Sequence, residues 1–444
     1  MLLVASCFFY MFFKPVYILI LAFTIVIDYV AGIMLENEPD KKKKKKYLIL
    51  SILANVGVLA VFKYYNFLDS SFTHIADFGG IKIHIPYLKI LLPIGLSFHT
   101  FQAMSYTIEV YRGHQKAERH FGIYALYVMF YPQLVAGPIE RPQNMIHQFY
   151  ARHQFSYNNA VHGLNLIVYG LFKKIVVADR LSEYVNQVYL HPANANSISV
   201  LLAVCFFSIQ IYCDFSGYSD IARGTARFMG FDLMINFRRP YLATSVSEFW
   251  TRWHISLSTW FRDYVYIPLG GNRAGKWRMY RNLFIVFLVS GLWHGARWTF
   301  VVWGALHGLY TLIGLLTKST WAKMAAATGF NRLPALQTSL NRLVVFVLVT
   351  FAWIFFRAEN FHKASLIIHK LFAGEYSGNL MQLSAEKGPL NLILSFLVVG
   401  LLLLSYKLPY DLKLKNSLPF LVITTFIIII LGKNAGAEFI YFQF

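Results

Sequence analysis

Apolar runs long enough to cross a bilayer recur along the chain. A hydrocarbon core takes about 20 residues of helix, and matching runs lie at Pro15–Leu35, Tyr47–Leu68 and Leu88–Ile108. Three more follow at Leu343–Phe356, Pro389–Tyr406 and Leu418–Leu431. Between Phe121 and Leu315 the runs are shorter and interrupted by charge, glycine and proline: Phe121–Ala136, Leu164–Ala178, Ser199–Cys213, Leu283–Trp293 and Phe300–Leu316. The pattern predicts an all-α polytopic membrane protein of about ten or eleven embedded helices, with re-entrant or broken segments in the middle. A single membrane domain spans residues 1–444, with flanking helices at 1–110 and 341–444 around a core at 121–316.

Composition supports this. Apolar residues make up 57% of the chain and charged residues only 14%, where a soluble domain carries about 25% charge. So little charge cannot cover a soluble body, and the same numbers exclude a disordered chain, a fibrous repeat and a secreted disulfide scaffold. Cys7, Cys205 and Cys213 match no zinc-ligand spacing and read as buried structural thiols. The N-terminus is apolar at once, without a basic leader or a small-residue cleavage site, and reads as a membrane segment.

Charge changes the picture more. The net charge is +20, large for a chain mostly destined for lipid. Lys41–Lys46 place the first strong loop on the cytoplasmic side, Asp69–Tyr87 then falls outside, and Arg112, Lys116 and Arg119 return inside. Beyond that, alternation fails, because Arg141 and Arg152 ask for the inside and so do Lys173, Lys174 and Arg180 one apolar run later. A half-span whose backbone is buried in protein resolves the conflict. From Arg223 to Arg281, nine arginines and Lys276 stand against Asp232, Glu248 and Asp263. This is either a cytoplasmic loop obeying the positive-inside bias or an electropositive vestibule for an anionic substrate, and the two are compatible.

Two constellations can do chemistry. In Tyr241–Gly271, Ser245 and Glu248 form a capping-box pattern that predicts an amphipathic cytoplasmic helix near 246–262. Trp250, Trp253, His254, Leu257, Trp260 and Phe261 share one face of that helix, which suits the membrane interface. His254 is there either a hydrogen-bonded structural residue or a functional one. In GLWHGARW, Gly291–Trp298, His294 occupies a place where a membrane helix carries Leu or Val. An ionisable group there points to function, and a neutral imidazole in a dry pocket can act as a general base; a His bridging two helices is the plainer alternative. His307, in WGALHGLY, reads more simply as structural. No G-x-S-x-G elbow, P-loop, G-x-G-x-x-G or H-E-x-x-H is present, so no metal or bound cofactor is expected. Acyl transfer from a phosphate-bearing thioester to a hydroxyl fits a histidine base beside a cationic entrance.

At these residues the sequence resembles the membrane-bound O-acyltransferase (MBOAT) family, and within it the bacterial branch that O-acetylates alginate and other exopolysaccharides. The stretches that carry the resemblance are Tyr131–Gln143, Gln210–Gly224, Phe249–Gly271, Gly291–Tyr310 and Trp353–Ala364. Family members carry a further apolar segment upstream of the one beginning near Met1, so the resemblance raises a late start or a truncation at that end. It implies a ring of helices around a thinned centre where a cytoplasmic funnel and an outer cavity nearly meet. His294 matches the family's catalytic histidine and His254 the second one, on the cytoplasmic side.

The resulting expectation is a membrane O-acetyltransferase of the bacterial inner membrane. The co-substrate is acetyl-CoA or an acyl-carrier thioester, the acceptor pathway is a polysaccharide, and an extracytoplasmic SGNH-type partner completes the transfer; no nucleic acid is involved. Trp250, Arg252, Trp253, Ser256, Ser258, Arg262, Asp263, Trp293, Asn236 and Asp214 are the candidate donor-binding residues. D-alanyl transfer to teichoic acid, a transporter and a scaffold of an export complex are the rival readings.

Overall fold

The computed structural model describes residues 1–12, 14–82, 86–88, 93–273, 275–374, 389–414, 416–433 and 439–440, and among them the regular elements are helices. Six are long and apolar enough to cross a membrane: Tyr17–Asn37, Lys41–Phe78, Tyr157–Leu190, Ser197–Phe228, Trp298–Ala327 and Pro334–Arg357. Leu2–Met11, Leu390–Ser405 and Leu418–Leu431 are shorter apolar helices. The chain is an all-α, multi-pass membrane protein. Its contacts divide it into two units, residues 1–156 with 229–234, and residues 157–228 with 235–444.

In the first unit, helices α1 (Leu2–Met11), α2 (Tyr17–Asn37) and α3 (Lys41–Phe78) precede α4 (Leu96–Arg112). The expected run Leu88–Ile108 becomes a helix only from Leu96, and residues 89–92 lie outside the described residues. Fourteen of the seventeen residues of α4 are buried. A polar hub ties α2, α3 and α4 together. The Ser51 hydroxyl donates to Asp28 at 2.6 Å, the Asn55 amide donates to both Asp28 oxygens, and Ser51 also lies 3.2 Å from Thr107. A carboxylate inside a membrane helix is tolerated because its oxygens meet donors from the neighbouring helix. α5 (Phe121–Met129) is only nine residues long. Beyond it the chain is irregular, yet every residue from Tyr124 to Glu140 except Tyr131 is buried. Such backbone is admissible at depth only when enclosed by protein. α6 (Pro142–Tyr150) completes this unit.

The second unit is built on two long helices, α7 (Tyr157–Leu190) and α8 (Ser197–Phe228). They run antiparallel with backbones nearly touching: a Cβ on Gly163 would lie 2.7 Å from the Gly224 carbonyl, and one on Gly170 2.6 Å from the Gly217 carbonyl. Small residues of this kind let membrane helices gain dispersion contacts that lipid cannot supply. α7 widens to a π-helix over Phe172–Ala178, and its lysines turn inward. Lys173 pairs with Asp220 at 2.5 Å and donates to Ser216, while Lys174 pairs with Asp214 at 2.6 Å and Asp179 at 2.8 Å. Paired in this way, the two lysines are not free loop cations of the kind that charge alternation counts. The pairing also lets α8 continue unbroken through charges that interrupt its hydropathy. Of the three cysteines, Cys213 is fully buried and Cys7 and Cys205 are half-buried, all free thiols.

Two short helices, α9 (Val246–Arg252) and α10 (Ile255–Phe261), precede the hairpin of α11 (Lys276–His294) and α12 (Trp298–Ala327). α13 (Pro334–Arg357), α14 (Phe361–Phe372), α15 (Leu390–Ser405) and α16 (Leu418–Leu431) follow. In the α11–α12 hairpin Gly304 sits against the Phe287 carbonyl and Gly291 against that of Phe300, so a Cβ at either would collide with backbone. Gly304→Val should therefore destabilise the protein by about 2–4 kcal/mol. Gly314→Ala, on the same helix with open space around it, should be neutral or gain up to about 1 kcal/mol. Thermal unfolding of the two variants in detergent checks the contrast.

Candidate active site

The segment before α10 is not one helix. The Ser245 hydroxyl accepts from the Glu248 N–H at 3.1 Å, and the Glu248 carboxylate reaches back to the Thr244 N–H at 2.7 Å, so the predicted cap forms, one residue displaced. The helix then stops at Arg252. The Arg238 N–H donates to the Arg252 carbonyl and the Ile255 N–H donates to the Asn236 carbonyl, both at 2.9 Å. The irregular segment 236–238 thus takes backbone groups that a continuous helix would use. The expected helix over 246–262 is broken at His254, which adopts a left-handed conformation with φ 43° and ψ 55°. That is uncommon and strained for a residue with a Cβ.

Asn236 holds the break. Its side-chain oxygen accepts from the Ser256 N–H at 3.1 Å and from the Ser256 hydroxyl at 2.9 Å, and lies 3.1 Å from His254 Nδ1. A backbone N–H can only donate, so the atom facing it is the amide oxygen. The His254 proton therefore resides on Nδ1, and Nε2 carries the lone pair. Burial pushes the imidazole down to about 3, so it is neutral across the physiological range. Its ring meets Phe215 edge-on at 4.6 Å and lies 6.2 Å from Trp293.

His294 is the last residue of α11, 4% exposed. Its ring lies 5.0 Å from Trp293, 4.9 Å from Trp303 and 5.4 Å from Phe356. The glycine-mediated approach of α11 and α12 brings Trp303 this close. Trp303 is 5.0 Å from His307, whose Nδ1 accepts the Trp250 indole N–H at 3.3 Å. Three histidines and their tryptophans thus form one ring-to-ring series: His254, Trp293, His294, Trp303, His307, Trp250.

The candidate residues divide accordingly. Asn236, Ser256, Trp250, Trp253 and Trp293 belong to this buried cluster, Trp253 stacking on Phe249 at 5.4 Å and lying 5.1 Å from Trp353. Ser258 caps the break by donating to the Trp253 carbonyl at 3.2 Å. Arg252 pairs with Glu248 at 2.5 Å, and the exposed Arg262 with Asp263 at 2.8 Å. Asp214 belongs instead to the lysine network of α7, where it also accepts the Ile440 N–H at 2.8 Å. Phe215, Trp303, Trp353 and Phe356, which were not among the candidates, pack around these histidines, and His307, read from sequence as structural, lies in the same ring series. The available signal was the spacing of Trp303 and His307, which puts both on one face of a helix.

Residues 114–357 match the family model of MBOAT, the membrane-bound O-acyltransferase family. The chain belongs to the membrane-bound O-acyltransferases. It is 38% identical over 407 residues to the probable alginate O-acetylase of Pseudomonas aeruginosa, covering 91% of this chain and 74% of that one. It is 36% identical to the peptidoglycan O-acetyltransferase of Helicobacter pylori over 87% of this chain and 75% of that one. The teichoic acid D-alanyltransferase of Streptococcus thermophilus is 30% identical over 54% of this chain and 60% of its own length. The protein is thus a membrane acyltransferase, and the three buried histidines lie inside the segment that defines this MBOAT chain.

The neutral, buried state of His254 makes stability pH-dependent with a definite sign. The unfolded ring titrates near 6.5, whereas the folded ring is held down to about 3. Its contribution is complete above about pH 6.5 and is lost as pH falls toward the folded value, with a limiting slope of about 1.4 kcal/mol per pH unit. Unfolding measured from pH 8 to 5 should therefore decline less steeply for His254→Gln than for the wild type. Asn236→Ala, which strands His254 Nδ1–H and both Ser256 donors, should cost about 1–3 kcal/mol at neutral pH.

Proposed function

We propose that the chain is an O-acetyltransferase that draws an acetyl group from a cytoplasmic thioester, acetyl-CoA or an acyl carrier, and passes it across the bacterial inner membrane. An extracytoplasmic SGNH-type partner then completes transfer to the sugar hydroxyls of a cell-surface or exported polysaccharide. The observation that carries this reading is the meeting of the two motif histidines. His254 and His294, forty positions apart in sequence, flank one buried indole, Trp293. His294 acts as the base for the acceptor hydroxyl, and His254, neutral and oriented by Asn236, positions the thioester. The exposed cations from Arg273 to Arg281 draw the donor's phosphates to the entrance, with Arg252 and Arg262, each paired with a carboxylate, adding less.

The relatives support acetyl over D-alanyl as the transferred group, since the two named O-acetylating enzymes match a larger share of this chain than the D-alanyltransferase does. A transporter or a scaffold would tolerate replacement of both histidines. At matched membrane levels, His294→Gln should reduce polymer-bound acetate at least about 10²-fold, the usual contribution of a general base. Quantifying acetate released from the cell-surface polymer by mild alkali measures this, and wild-type acetylation in that variant overturns the base assignment.

A further inference from the structure

We propose that Trp303 and His307 form a donor pair that holds the carbonyl oxygen of the acyl group while it becomes an oxyanion beside His294. This rests on the reading of His294 as the base.

Both side chains are completely buried. An indole nitrogen can only donate. Because His307 Nδ1 accepts the Trp250 indole N–H, the neutral His307 ring carries its own proton on Nε2. Two N–H donors, Trp303 Nε1 and His307 Nε2, are therefore carried by neighbouring rings. Neither has a hydrogen-bond acceptor among the described residues. They project from α12 four residues apart, hence on one face, with ring centroids 5.0 Å apart and Trp303 only 4.9 Å from His294.

Buried donors are almost always satisfied. Two adjacent exceptions next to a candidate base mark a place where an acceptor from outside the protein belongs. The donors are neutral and their surroundings are rings: Phe249, Phe287 and Trp353 about His307, and Phe356 and Trp353 about Trp303. A full anion would be expensive to bring into such surroundings. A carbonyl oxygen that enters neutral and gains charge only during reaction fits better, and preorganised N–H dipoles stabilise that charge most in a dry site.

The step balances with groups already named. The acceptor hydroxyl oxygen attacks the thioester carbonyl carbon, its proton passes to His294, and the carbonyl π pair moves onto oxygen between the two N–H groups. When C=O re-forms, the C–S bond breaks with its electron pair on sulfur. His294 then returns the proton to that thiolate, giving ester and free thiol. Trp250 is a positioning residue here, fixing the tautomer that puts the donor on Nε2.

Two substitutions at His307 separate this role from packing. In His307→Asn the amide oxygen can replace Nδ1 and keep the Trp250 hydrogen bond, but the distal donor is gone. In His307→Gln the amide nitrogen can reach the Nε2 position, while the Trp250 hydrogen bond is lost. In cells dependent on the full-length protein, at matched membrane levels, His307→Asn should lower the rate of polymer acetylation about 10²–10³-fold, as removal of one such donor does. His307→Gln should recover at least about tenfold of that loss. Trp303→Phe, which keeps the ring contacts and removes only the N–H, should fall in the same range as His307→Asn. Near-wild-type acetylation in both His307→Asn and Trp303→Phe overturns the donor pair. So does the reverse order at His307, with Asn active and Gln impaired, which is the signature of a packing role through Trp250. His294→Gln, run in parallel, tests the base separately, since its activity bears on proton transfer and the Asn-to-Gln order bears on the carbonyl.

Discussion

The contact on which the arrangement of the histidines depends is the one between the backbones of α11 and α12 at Gly291 and Gly304. In lipid there is no hydrophobic gain from pressing two apolar helices together, so close approach must come from residues without side chains. That approach carries Trp303 to His294 and leaves His307 one turn further along α12, against Trp250. Bulkier residues at these two positions would part the helices and the rings with them. The same device joins α7 to α8 through Gly163, Gly170, Gly217 and Gly224. There it lets Lys173 and Lys174 reach aspartates on or near the facing helix instead of standing uncompensated in the membrane.

The second constraint is the backbone at His254. A left-handed conformation at a residue with a Cβ persists only where the surroundings over-determine it. Here they do so through one side chain, Asn236, whose oxygen serves His254 and Ser256, and through the backbone bonds that segment 236–238 makes on both sides of the break. The strain aims the imidazole at Trp293 and Phe215 instead of along a helix face. Orientation of the second histidine is thus achieved by interrupting a helix whose sequence would otherwise continue it.

This explains which features were legible in the sequence. The helical class, the cap at Ser245 and the two histidine motifs each depend on local pattern or on a few specific residues. The break at His254 does not, because Trp250, Trp253, His254, Leu257, Trp260 and Phe261 keep a helical spacing across it, and what interrupts the helix comes from residues 236–238. The 32-residue length of α8 was hidden for a related reason. Asp214, Asp220 and Arg223 depress hydropathy along the chain, while two of them are compensated in space by lysines of α7. Trp303 and Phe356 were missed because aromatic residues in a membrane helix are common, and only contact distinguishes those that surround a histidine.

The surplus of positive charge and the neutral histidines then serve different physical needs. Several arginines of the 223–281 region already have partners: Arg223 with Asp220, Arg252 with Glu248, Arg262 with Asp263, and Arg239 with the Leu408 carbonyl. Arg273, Lys276, Arg278 and Arg281 stand exposed before and at the start of α11. Exposed cations act through a field that reaches about a Debye length, roughly 8 Å at physiological salt, and so attract anions without fixing them. Inside, the requirement reverses. Around His294 and His307 the neighbours are aromatic rings, which pack without the cost of burying an unpaired charge. Exposed cations and buried aromatic neighbours thus stand at opposite ends of one helix, which begins at Lys276 and ends at His294.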